Sequence, residues 1–206
     1  MNSFYSDEEL QKIGFKEIGQ NVLISRKASI YSPEKMVIGS HVRIDDFCIL
    51  SGHIELEDYI HIAAYVALFG ANGGIFVKSF STISSRGVVY AVSDDYSGIA
   101  MTNPMIPDTY KNVKEKKVVI QKHCIIGSGS TILPGVILHE GAAVGAMSLI
   151  TDNLEPWSIN VGIPAKKIRD REKTLIQKEV LFLENENLNS NCSEILCKHI
   201  KSERED

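Results

Sequence analysis

Between Ile120 and Ile150 every sixth residue is aliphatic: Ile120, Ile126, Ile132, Leu138, Val144 and Ile150. The position two before each following mark is small or β-branched, as at Cys124, Ser130, Val136, Ala142 and Ser148. A six-residue period suits neither an amphipathic helix nor the two-residue alternation of a single strand. It suits short strands joined by turns of fixed length and stacked as a β-solenoid.

The same period starts much earlier in the chain. Aliphatic marks fall at Ile18, Ile24 and Ile30, then Ile38, Ile44, Leu50, Leu56, Ile62 and Leu68, then Val77, Ile83 and Val89, and finally Ile120 to Ile150. Counting them gives eighteen hexads, or six coils of three strands. At the ~4.8 Å spacing of hydrogen-bonded strands the prism is about 29 Å tall. The extra residues follow the third, ninth and twelfth hexads, so segments 31–37, 69–76 and 90–119 all leave at one vertical edge. Loops gathered on a rigid scaffold are where binding and chemistry concentrate.

The residue before each mark points outward. The two faces beside the loop edge present Val37, Phe76, Val119 and Ile137 on one and Ile49, Ala67, Val88 and Leu149 on the other. A monomer would expose these apolar columns, which points to self-association, most simply as a cyclic trimer. Residues 1–17 read as an N-terminal cap: Ser6 and Glu9 have capping-box spacing, giving a short helix over about 6–13 that Gly14 ends. Residues 18–165 form the solenoid with its loop at 90–119. Residues 166–206 read as a C-terminal helical segment, helical over about 168–185, followed by a polar tail with at most a weak helix near 193–201.

A formal charge of −4 and the lack of any basic block argue against a nucleic-acid partner. No apolar run approaches the ~20 residues of a membrane span. Cys48 and Cys124 fall on small inward positions and read as buried free thiols, consistent with a reducing cytoplasm. Four cysteines without CxxC spacing and six scattered histidines predict no metal site.

The hexads, the long loop after the fourth coil and the ending GIPAKKI resemble the hexapeptide-repeat acyltransferases over about residues 18–170. The resemblance implies an all-β fold, a left-handed parallel β-helix, and an acetyl-CoA-dependent enzyme with active sites between the subunits of a homotrimer. The order of elements is similar to galactoside and maltose O-acetyltransferases and to sugar-nucleotide N-acyltransferases of surface-polysaccharide (O-antigen) pathways. The acceptor nearest to this pattern is a dTDP-linked 4-amino-4,6-dideoxyglucose.

The resemblance also carries residues. Ser128 and Gly129 match contacts to the pantetheine arm of CoA, Gly145, Ala146 and Thr151 match contacts one coil on, and Lys166 and Arg169 match cations near its phosphates. Asp152 stands where the family often has Lys, which removes one phosphate contact. Where the O-acetyltransferases place a loop histidine as general base, this chain reads VVYAVSDDYSG, with Asp95 or Asp94 in the matching place. A carboxylate of ordinary pKa is a poor base for a hydroxyl but serves to orient an amine or take its ammonium proton. The substitution therefore favours N-acylation over O-acylation, although SDDYSG also reads as a hydrogen-bonded turn. His61, outward on the second face, is the remaining candidate base, with His123 behind it. Tyr96, Asn103 and Tyr110 of the long loop, with Met101, are candidate acceptor contacts. A solenoid that only binds or scaffolds is the reading outside enzymology.

Overall fold

The structure is a computed structural model that describes residues 3–186. It separates into two compact units, Met1–Arg171 and Glu172–Asp206. The first is a parallel β-helix. On the first face Ile18 pairs with Ile38, then Leu56, Val77, Ile120 and Leu138. On the second Ile24 leads through Ile44, Ile62, Ile83 and Ile126 to Val144. On the third Ile30 leads through Leu50, Leu68, Val89 and Ile132 to Ile150. Every mark thus sits one rung from its counterpart. Side chains from Ile24 to Ile150 line a continuous buried core.

Six full coils are followed by part of a seventh, in which Leu154 bridges to Leu138 and Asn160 pairs with Val144. The last rung is closed by a feature that the sequence reading placed in a helix. Lys166–Asp170 is a strand, antiparallel to Ser158–Val161. It pairs backbone groups that an open end of the solenoid would leave exposed. Helix begins only in the second unit, over 175–186. The tail, with the expected helix near 193–201, lies outside the described residues.

At the other end, α1 (Asp7–Ile13) has the predicted capping box, with Glu9 N donating to Ser6 Oγ and Ser6 N to Glu9 Oε2. Gly14 closes it at φ 87°, and Leu10 lies in the core. The Arg26 guanidinium, bound through both its terminal nitrogens, pulls the Glu9 carboxyl down to about 2.

The loop edge is less ragged than the count of extra residues suggests. The three extra residues in 69–76 do not protrude. Ala67–Val77 is one unbroken strand that turns the corner beside Ile49–Leu56, and bulges near Gly52 absorb the mismatch. The segment 31–37 holds a single 3-10 turn, Pro33–Lys35. The long insertion alone forms an arm, whose base pairs Val92–Ser93 with Lys114–Glu115.

The other two corners repeat one conformation. At the first-to-second corner the third turn residue of each coil has positive φ: Asn21, His41, Tyr59, Phe80, His123, Gly141 and Trp157. Glycine and asparagine suit this region, and larger residues pay for it. Here stacking offsets the strain. Ring centroids are 4.5 Å apart for His41–Tyr59, 4.8 Å for Tyr59–Phe80 and 5.5 Å for Phe80–His123. Arg171 closes the top by donating to the carbonyls of His123 and Gly141 at 2.7 and 2.9 Å.

Tyr59→Ala keeps the strained φ and loses both stacks, so we expect it to lower unfolding stability by about 1–3 kcal/mol. Tyr59→Gly should lose about 1 kcal/mol less than the alanine variant, since it relieves the left-handed backbone. Urea denaturation of the three proteins measures both differences.

Candidate active site

The second-to-third corner is built from different residues. Ladder hydrogen bonds align its first turn position through Ser25, Asp45, Ala63, Ser84, Gly127 and Gly145, with Val161 and Lys166 continuing the column. The second position runs Arg26, Asp46, Ala64, Ser85, Ser128 and Ala146. From the third coil upward both columns are therefore Ala, Ser or Gly. A Cβ on Gly127 would run into the backbone of Gly145 and Ala146. The result is a shallow trough along the prism. From Ser84 to Lys166 it spans four rungs, about 19 Å.

The two ends of the trough differ in charge. At the upper end Lys166 and Arg169 are exposed and, among the described residues, have no acidic partner. Lys167 between them is held by Asp170 and Glu155, both at 2.8 Å, and these hydrogen bonds raise its pKa above the ordinary lysine value. At the lower end, His61 Nε2 lies 2.8 Å from Asp45 Oδ2, and Arg43 Nε donates to Asp45 Oδ1 at 2.7 Å. Burial pushes the Asp45 carboxyl up, but the hydrogen bonds from His61 and Arg43 outweigh it and hold the group below the ordinary carboxylate range. An ionised carboxylate only accepts, so the neutral His61 ring carries its proton on Nε2 and leaves Nδ1 as the basic atom.

The loop carboxylates stand at a different corner from the trough of their own chain. Asp95 is buried, 4% exposed, and both oxygens are taken: Oδ1 accepts from Ser97 N and Oδ2 from Ser97 Oγ, each at 2.9 Å. The Ser97 backbone bond, then its hydroxyl, lowers its pKa. Asp95 thus shapes the turn. Its neighbour Asp94 is exposed, and among the described residues no side-chain partner holds it. Further along the arm Tyr96 is 93% and Tyr110 62% exposed, while Asn103 Oδ1 accepts from Met105 N at 2.8 Å.

The predicted cofactor residues divide the same way. Ser128, Gly129, Gly145 and Ala146 fall together at the trough corner, with Lys166 at its head and Arg169 on the same closing strand. Thr151 does not join them: it follows Ile150 on the third face, at the loop edge, and its hydroxyl donates to Asp152 at 3.0 Å. His123 belongs to the aromatic corner, 7% exposed between Phe80 and Trp157. Among the described residues no group of His, Cys, Asp and Glu is arranged to hold a metal ion. Cys48 and Cys124 are buried and free, and burial pushes their thiols up to about 11 and 12.

The profile of the bacterial transferase hexapeptide (six repeats) matches residues 117–152. An Escherichia coli dTDP-4-amino-4,6-dideoxy-D-glucose acyltransferase is 48% identical over 182 residues, covering 86% of this chain and 94% of its own. The chain belongs to the hexapeptide-repeat acyltransferases. AntD, an N-acyltransferase from Bacillus cereus solved with dTDP and 3-hydroxybutyryl-CoA, superposes on this acyltransferase with a TM-score of 0.89 at 55% identity. The superposition covers 91% of this chain and 100% of AntD. A serine-to-alanine variant of AntD, solved with dTDP-4-amino-4,6-dideoxyglucose and coenzyme A, gives a TM-score of 0.88 at 54% identity, over 90% of this chain and 100% of that one.

Four trough residues of this acyltransferase, Ala63, Ala64, Ser84 and Ser85, were not singled out from sequence. The signal was present, since each stands one or two places after a mark on the second face. It becomes visible only when successive coils are aligned. The Asp45–His61 pair had no such signal, because its sixteen-residue separation acquires meaning only in the folded register.

Long-range 1H–15N correlation spectra above neutral pH should show His61 as the Nε2–H tautomer. Asp45→Asn should weaken that preference. A dominant Nδ1–H tautomer in the unsubstituted protein would remove the dyad.

Proposed function

We propose that the protein transfers an acyl group, acetyl in the first instance, from CoA to the amino group of dTDP-4-amino-4,6-dideoxyglucose. The observation that carries this reading is the small-residue trough with free cations at one end and the Asp45–His61 pair at the other. Small side chains let the amide-rich pantetheine arm lie against the backbone, and Lys166 and Arg169 take the phosphates. The thioester then lies near Ser84, within the reach of groups at the lower end. The two relatives act on, or were solved with, this sugar nucleotide.

The step is direct acyl transfer. The neutral amine attacks the thioester carbonyl, a C–N bond forms, and the tetrahedral oxyanion collapses with loss of the C–S bond. One proton leaves nitrogen and one is returned to the CoA sulfur, so the products are an amide and a free thiol. Asp94 is the carboxylate we assign to hold the amine or receive its proton, with Asp95 keeping the turn that presents it. His61 Nδ1 is the base available at the trough for a hydroxyl acceptor, and it is the residue on which O-acetylation would depend. Tyr96 and Tyr110 are placed against the acceptor.

Trough and loop carboxylate lie at different corners of one chain. We therefore place each active site between two subunits of a homotrimer, the arm of one reaching the trough of the next. The apolar columns beside the loop edge are the surface this assembly would cover. We place the reaction in the cytoplasm, with its product used in surface-polysaccharide assembly such as O-antigen synthesis. No helix among the described residues is long and apolar enough to cross a membrane.

Release of free CoA from acetyl-CoA and 3-hydroxybutyryl-CoA should depend on the amino sugar nucleotide, and turnover only with hydroxyl acceptors would sink the N-acylation reading. Ala146→Phe should raise the KM for acyl-CoA by about tenfold or more by filling the trough, while Asp94→Ala should lower kcat. Co-expressing the two variants should restore activity, because mixed trimers contain some sites with an intact trough and an intact arm. Failure of every mixture to exceed its parents would exclude a shared site.

A further inference from the structure

The long arm has little packing of its own. Tyr96, Ile99 and Met105 are 93%, 88% and 87% exposed, and past the root its two limbs touch through Met101, whose N donates to Tyr110 O at 2.9 Å. Its direction is therefore set at the root. There Ala91 is buried, Lys116 N donates to its carbonyl at 2.9 Å, and Val92–Ser93 pairs with Lys114–Glu115. Two carboxylates brace this root. Glu115 ties the returning limb to the strand Ala67–Val77, accepting from Asn72 N at 3.3 Å and from Asn72 Nδ2 at 3.1 and 3.2 Å. Asp95 ties the two limbs together. It is the one buried acidic side chain among the described residues, and a carboxylate withdrawn from water needs donors. Besides Ser97 it accepts from the side-chain amide of Asn112, seventeen residues on along the returning limb, with the Lys114 ammonium within electrostatic reach.

We infer that Asn112 is a positioning residue for the acyl transfer, an assignment that rests on the role given to Asp94 above. Asn112 acts through Asp95 to hold the turn that presents Asp94, and the Asn72–Glu115 contact carries the same constraint back to the prism. Asp94 immediately precedes Asp95, so any rotation of the turn displaces it. A misplacement of about 1 Å costs up to about a hundredfold in rate. CoA binding depends on the trough, at another corner, and does not use this brace. The amide suits the position because it donates without adding a charge. Asn112→Asp keeps the shape but sets a second carboxylate against Asp95. Such a pair shares one proton at low pH, which bridges it as the amide does, and loses that proton as pH rises. The variant is therefore competent at low pH and fails at high pH.

Steady-state kinetics with dTDP-4-amino-4,6-dideoxyglucose and amide hydrogen exchange, both on the full chain, test the assignment. Asn112→Ala should lower kcat about tenfold or more, leave the KM for acyl-CoA within about twofold, and speed exchange of the Ser97 N–H that Asp95 holds. Asn112→Asp should approach the unsubstituted protein near about pH 6 and fall about tenfold below it by about pH 8.5. Taking kcat as a ratio at each pH cancels the titration of the acceptor amine. A substitution that merely destabilises the fold does not recover in this way, and the aspartate variant covers the case in which the alanine protein does not fold. Unchanged kcat in Asn112→Ala, a ratio for Asn112→Asp that does not vary with pH, or a loss confined to the KM for acyl-CoA overturns the positioning role. An unsubstituted protein that binds CoA but does not acylate the amino sugar overturns the acceptor reading itself. Exchange then decides alone whether Asn112 holds the turn, and an unchanged Ser97 rate in Asn112→Ala overturns that too.

Discussion

Stacking of inward aliphatic side chains, each one rung above its counterpart, is the interaction on which the rest of the molecule depends. From Ile24 to Ile150 the core is made of such contacts from all three faces, stacked rung on rung. The perimeter of a coil is therefore held at eighteen residues, and surplus residues must leave where they do not disturb the stack. They leave at one corner, either absorbed as bulges, as in Ala67–Val77, or thrown out as an arm, as between Tyr90 and Val118. Polar groups in the core are hydrogen-bonded: Ser130 Oγ donates to Gly145 O of the next coil at 3.0 Å, and Ser148 Oγ to Gly145 O of its own turn at 2.8 Å.

One backbone conformation at the other two corners serves opposite ends. Both have positive φ at the third turn residue, except at Lys27 in the lowest coil. Along the first-to-second corner the cost is met by stacked rings from His41 to His123, which tie coils together. Along the second-to-third corner the same position passes from stacked rings at Phe47 and Tyr65, through Arg86, to Gly129. At Gly129, with φ 72°, a Cβ would sit 2.5 Å from Met147 Sδ, the far end of an exposed and flexible side chain. One edge is thus a structural spine and the other an open trough. The difference is made by the choice of side chain at equivalent turns, with the backbone unchanged.

Charge is distributed to suit that division. Low on the trough corner, acids and bases neutralise one another: Asp46 accepts from Ser25 and Lys27, and Asp45 from Arg43 and His61. High on the same corner Lys166 and Arg169 have no acidic partner among the described residues, on the strand that closes the solenoid. That strand was the principal misreading of the sequence. KKIRD lies between a Pro-containing turn and a helical run, and its local pattern merges with the helix. Only the unpaired rung at Ser158–Val161 decides its conformation. The loop carboxylates show a similar limit. SDDYSG reads both as a turn and as a candidate catalytic acid, and the fold separates the two carboxylates by burying Asp95 against Ser97 and leaving Asp94 exposed.

The sequence by itself determined the coil register, the faces and the common edge of the insertions. All of these follow from one period read along the chain, because each aliphatic mark has a single inward position available to it. Tertiary structure alone decided which residues sixteen or more positions apart meet, as His61 meets Asp45. It also decided that the loop carboxylate and the trough of one chain occupy different corners. Those relations depend on how coils stack and on where corners point, and a six-residue period is the same whichever corner carries the chemistry.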